Sequence, residues 1–247
     1  MTDPNTLLIV FLTFLLAGVV KGVIGMGLPT VSLALLTMAI NLPSAMALLI
    51  APSLVTNIWQ AVVGAYTHTV LKRIWPFLFM AAATVWIGGL MLSRVSDTVL
   101  SALLGMLITL YAASTLAGYK IKVNPQQERW AGPVLGILNG VLTGMTGSFV
   151  VPGVMFLQSI GLPRDMLIQA MGMLFTVSTI ALALVLRQNQ MLTPELGMLS
   201  IAAVVPAIVG MWFGQRIRQY LSEQLFRKVF LCSLLILGLV VLIGAVN

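Results

Sequence analysis

A lysine at position 21 stands in the middle of apolar sequence, in the stretch GVVKGVIGMGLP, 18–29. A charge near the centre of a bilayer is costly and is by default a functional candidate. Around it lie Gly25, Gly27, Pro29 and Thr30. Glycine weakens a helix and proline removes a backbone donor, so a helix break is expected there. A helix restarting after such a break presents unpaired N–H groups and a positive dipole end, a ready place for an anion. The second half of the chain repeats the theme with Asn139, Thr143, Gly144, Thr146, Gly147 and Ser148. In hydrocarbon, broken helix is tolerated only where protein or a watery cavity surrounds it. The chemistry these residues offer is therefore anion binding. Lysine supplies charge, and loop amides and hydroxyls replace the anion's water.

Other polar residues fall into stripes. Ser53, Thr56, Asn57 and Gln60 share one helical face, and Gln169 and Thr176 do so more sparsely. They could line a passage or simply join helices. Gly18/Gly22 and Gly136/Gly140 form G-x-x-x-G pairs, for which close helix packing is at least as good an account as ligand contact. Every acidic residue (Asp3, Asp97, Glu128, Asp165, Glu195, Glu223) reads as a loop or span-end residue. None is an obvious partner for Lys21. Beside the lone His68 there is no H-E-x-x-H and no Cys/His set, so neither a metal site nor a catalytic centre is expected, and no cofactor.

The elements that must position these residues are transmembrane helices. Of 247 residues, 60% are hydrophobic and 8% charged, with mean hydropathy +1.07. Several apolar runs reach the roughly 20 residues needed to cross a bilayer. The expected class is an all-α polytopic membrane protein with lipid as its surround. Cys232, the single cysteine, excludes an internal disulfide. The net charge of +7 is read as cytoplasmic-loop lysine and arginine, with no nucleic-acid partner.

The two halves match in order: GVVKG with GILNG, LPSAM with LPRDM, Thr56 with Thr176, Ala61 with Ala181. This register pairs Lys21 with Asn139. It divides the chain into a first repeat, 1–118, a link, 119–129, and a second repeat, 130–247. If each glycine-rich segment crosses the membrane an even number of times, Lys72, Arg73, Lys120, Lys122, Arg129, Arg164, Arg216, Arg218, Arg227 and Lys228 share one side. Only Arg94 and Arg187 face the other. The positive-inside rule selects that arrangement, with a cytoplasmic link and both termini periplasmic. The repeats are then inverted. Each is a glycine-broken helix pair or re-entrant hairpin followed by three transmembrane helices.

The segments KGVIGMGLPTVSLALL and NGVLTGMTGSFVVPGVMFLQSIGL, each opening one half, resemble those of the TauE/SafE family of sulfite exporters and sulfur-containing-anion permeases. The resemblance extends over nearly the whole chain, although GMGLP departs from the family's common glycine triplet. It implies an inner-membrane permease for sulfite, a sulfonate or a related organic anion, acting in export. The substrate-binding candidates are Lys21, Gly25, Gly27, Thr30, Asn57, Asn139, Thr143, Gly144, Thr146, Gly147, Ser148 and Gln169. Ion-coupled uptake by the same fold, and a non-transporting membrane assembly subunit, stay open at this stage, as does a homo-oligomer.

Overall fold

In a computed structural model, residues 3–119, 122–220 and 222–246 are described, and they fold into helices with no strand among them. Lys120, counted above among the basic residues, lies outside the described residues. Among the described residues, six helices or helix pairs are long and apolar enough to cross a membrane, and one further bent pair makes a seventh. The protein is a multi-pass, all-helical membrane protein.

Helix α1 (Pro4–Ile24) ends at Gly25. Gly25 adopts φ +86 and its N–H returns to the Lys21 carbonyl at 2.8 Å, so the helix closes in a left-handed cap. Gly27, with φ +107, opens α2 (Leu28–Thr37), and Pro29 sits in its first turn. Both glycines hold a backbone region that side chains rarely adopt. Two short helices, α3 (Leu42–Leu48) and α4 (Ile50–Val62), form the bent pair, at 45°. Next come α5 (Thr67–Ala83) and α6 (Val85–Leu92), which together make one span, and then α7 (Asp97–Leu116).

The second half begins with α8 (Pro125–Thr146), capped by Gly147 at φ +70. A wide turn with Val151 extended opens α9 (Val150–Ser159). Helix α10 (Arg164–Gln188) follows, then α11 (Pro194–Ala202) with α12 (Val204–Ile217) as one span, and α13 (Glu223–Val246).

Two faces emerge from the helix ends. On one, Val123 N–H meets the Ser159 carbonyl at 3.0 Å and Arg73 pairs with Glu128 at 2.8 Å. Residues 122–124 of the link lie here, with Lys72, Arg129, Arg164, Arg216, Arg218, Arg227 and Lys228 at adjoining helix ends. On the opposite face, Thr37, Asp97 and Gly244 border one cavity, and Trp86 donates to Gln188. Arg94 and Arg187 belong there. Helix α2 thus returns to the face from which α1 came, and α9 returns to the link. The start of α1 and the end of α13 lie on the face opposite the basic one.

Packing crosses the link. Helix α1 lies parallel to α12, and α8 lies parallel to α5 and α6. The contacts are backbone on backbone. A Cβ placed on Gly18 would stand 2.2 Å from the Ala207 oxygen, and one on Gly22 would stand 2.2 Å from that of Met211. Gly210 and Gly214 reciprocate against Leu15 and Val19. On α8, Gly140 meets Ala81 and Gly144 meets Val85, while Gly88 of α6 meets Val141. Lipid is as apolar as leucine, so such close approach, rather than a hydrophobic drive, holds membrane helices together. The packing account of the four G-x-x-x-G glycines is the one this arrangement fits.

Candidate functional site

Lys21 points inward. It is 4% exposed, and its Nζ donates to Thr56 Oγ1 at 3.0 Å and to Asn57 Oδ1. It does not snorkel along its helix to the surface. The polar face of α4 exists to meet it, since Ser53, Thr56 and Asn57 are all buried. Thr56 in turn donates to the Pro52 carbonyl at 2.7 Å, and the Leu48 carbonyl, which Pro52 leaves without its usual helical donor, accepts from Ser200 Oγ at 2.9 Å. A cavity of about 550 Å³ opens beside Arg218 on the basic face and is lined by Lys21, Gly25, Thr56, Gln60 and Gln215. Gln60 is held by the Ile168 carbonyl at 2.8 Å, which ties α4 to α10.

Two buried groups on this face have hydrogen-bonding capacity unused within the protein: Asn57 Nδ2 and Ser53 Oγ. Buried polar groups are nearly always satisfied, so exceptions call for an explanation. Here one is at hand. Lys21 and Asn57 Nδ2 are donors and the Ser53 hydroxyl can serve as one; Lys21 borders the cavity, Asn57 and Ser53 lie behind its lining, and no carboxylate among the described residues lines it. An anion satisfies such a set. Thr30, 5% exposed, lies in the first turn of α2, whose leading amides point back toward Gly25–Gly27.

The second break is built differently. Thr143 Oγ1 donates to the Ser148 carbonyl at 3.0 Å, and Ser148 N–H donates to Thr146 Oγ1 at 3.2 Å. Asn139 Oδ1 accepts from Gly153 N–H at 2.9 Å. These side chains hold the loop's own backbone. Asn139 Nδ2 and Ser148 Oγ remain unpartnered and buried. Gly147 turns against Met46 and Leu33, both wholly buried. The cavity that Lys21 lines does not reach Asn139, Thr146 or Ser148. The candidates therefore form two clusters, one at Lys21 and one at the second break.

Three sequence expectations change. Matching α1 to α8 by their glycine contacts and caps sets Gly18 with Gly140, Gly22 with Gly144 and Gly25 with Gly147. Lys21 then stands opposite Thr143, one helical turn beyond Asn139. Gly136, Gly140 and Gly144 recur every fourth residue, so a glycine match alone fits two registers. Gly144, expected beside the ligand, packs on the α6 backbone instead. Gln169, expected along the passage, is occupied by the α4–α5 turn. Its Oε1 accepts from Tyr66 N–H at 3.0 Å and its Nε2 donates to Thr67 Oγ1 at 3.0 Å.

A second cavity on the basic face was not foreseen. It is bordered by Lys122, Arg164 and Arg227, from three distant parts of the chain. Its signal in the sequence was only that these cations belong to one side.

A family model described as "Sulfite exporter TauE/SafE" matches residues 10–241. No curated protein and no solved structure matches the chain.

Proposed function

The chain belongs to the TauE/SafE family of sulfite exporters, a family of membrane permeases, and from that premise we propose that it exports a small anion, sulfite or a sulfonate, down the membrane potential. The observation that carries this reading is Lys21, buried among neutral hydrogen-bonding groups, with no carboxylate partner among the described residues, and bordering a cavity open to the basic face. An anion supplies the missing countercharge. With the interior negative, each charge gains roughly 2.3 kcal/mol per 100 mV on leaving. Export then needs no coupling ion, and no carboxylate accompanies Lys21 to relay protons. The test is flux of labelled sulfite from proteoliposomes under an imposed potential, with and without a pH gradient. Efflux should follow the potential. Flux that ignores it and tracks only a proton or sodium gradient would mean coupled uptake instead.

In this reading residues 1–118 and 130–247 are inverted repeats around the link. The reciprocal packing of α1 on α12 and α8 on α5–α6 supports it, as does the pairing of α7 with α13 and α4 with α10. The basic face is cytoplasmic and both termini lie outside the inner membrane. The cavity at Lys21 is then the inward-open access route. Single cysteines at Asp3 and Gln126, in a Cys232→Ser background, test the orientation with an impermeant thiol reagent on intact cells. Asp3→Cys should label and Gln126→Cys should not; the reverse pattern rejects the topology.

A further inference from the structure

The second basic-face cavity measures about 540 Å³. Its rim and its walls differ in kind. Lys122, Arg164 and Arg227 stand exposed at the rim, and no carboxylate among the described residues lines it. Deeper in, the wall is Ile24, Met26, Leu167, Ile168 and Met171. Sulfite has only four heavy atoms. It would leave most of this space empty and could not use the apolar wall. Cavities of this volume hold ligands of drug-like size, with apolar surface for the body and a few polar groups to orient it. Ile168 borders both this cavity and that of Lys21, and Gly25 and Met26 stand on either side of the partition. The Tyr111 hydroxyl steadies the partition by donating to Met26 Sδ at 3.4 Å.

We propose that this cavity binds a soluble organic anion with a hydrocarbon body of several carbons, a sulfonate or carboxylate whose head meets Lys122 and Arg227 at the rim while its body lies on the apolar wall. The site is the capture point for the permease's cargo and rests on the permease reading for that role; the binding itself does not depend on it. Burying one more methylene is worth up to about a fourfold gain in affinity. The experiment is calorimetric binding of methanesulfonate, butanesulfonate and hexanesulfonate to the purified full chain in nanodiscs. Affinity should rise two- to fourfold per methylene. Lys122→Gln/Arg227→Gln, two exposed changes that leave the fold intact, should weaken all three sulfonates several-fold. Leu167→Gln should flatten the dependence on chain length.

Equal affinity for the three sulfonates, or no effect of the double variant, would overturn the site. Loss of hexanesulfonate binding when phosphatidylglycerol is added to the nanodisc would also overturn it, because the cavity would then belong to a lipid headgroup. Sulfite flux without hexanesulfonate binding removes this site and spares the permease. Binding that grows with chain length but no flux of any anion does the opposite.

Discussion

Lys21→Gln should lower sulfite efflux at a fixed potential by at least tenfold while leaving the protein monodisperse and folded. The side chain is buried, and the two protein groups that accept from it, Thr56 and Asn57, are neutral. A hydrogen bond from a charged donor is worth about 1.5–3 kcal/mol. Losing that for the anion corresponds to roughly ten- to a hundredfold, since about 1.4 kcal/mol is tenfold. Glutamine keeps a donor and most of the length, so Thr56 or Asn57 retains a partner and the fold is spared. Lys21→Arg keeps the charge and should lose less. The measurement is initial efflux rate from proteoliposomes matched for reconstituted protein. Wild-type flux by Lys21→Gln would take the lysine out of the mechanism and reduce it to a strut between α1 and α4.

Gly22→Leu should abolish the folded protein altogether. A Cβ at this position would lie 2.2 Å from the Met211 oxygen and 2.9 Å from both Gln215 N and Gly214 Cα, all of them backbone. No rotamer relieves a clash with backbone, so α1 and α12 must separate. Overpacking by a single methyl costs about 1–3 kcal/mol, and leucine adds three further carbons. Gly22→Ala should give a folded but less heat-stable protein. Gly197→Ala is the control, because nothing lies within 4 Å of a Cβ there. Fluorescence-detected size exclusion in detergent would score all three. A symmetric wild-type peak from Gly22→Leu would show that α1 does not rest on α12 as described.

Much of this architecture was legible because the bilayer leaves few options. Apolar runs longer than about 20 residues fix the spans, Gly25 and Gly147 fix where helices stop, and Gly27 where one restarts. The arginines and lysines at helix ends anticipated that both glycine-rich segments turn back. What stayed hidden depended on contacts between distant segments. Lys21 and the α4 stripe were each conspicuous, yet nothing in the spacing said that they meet. Gly144 and Gly147 look alike in sequence, but one faces a helix and the other caps one. The slip that paired Lys21 with Asn139 has a physical origin. A glycine every fourth residue repeats nearly once per helical turn, so it marks a face but not a height along it. Gln169 holds the α4–α5 turn, a contact its sequence position did not announce, because a buried amide serves a turn as readily as a ligand.

The parallel embrace of α1 and α12 also has a consequence in time. A chain is made and inserted from its N-terminal end. Helix α8 enters the membrane when α5 and α6 are already in place, and its glycine face can close at once. Helix α1 enters first, and α12 comes almost last. Through most of synthesis the glycine seam of α1 waits uncovered, and only with α12 does it acquire its neighbour. Lys21 faces a shorter wait, since α4 follows soon after. The order of translation therefore closes this seam late, with only the packing of α13 on α7 still to follow, and places it beside Lys21.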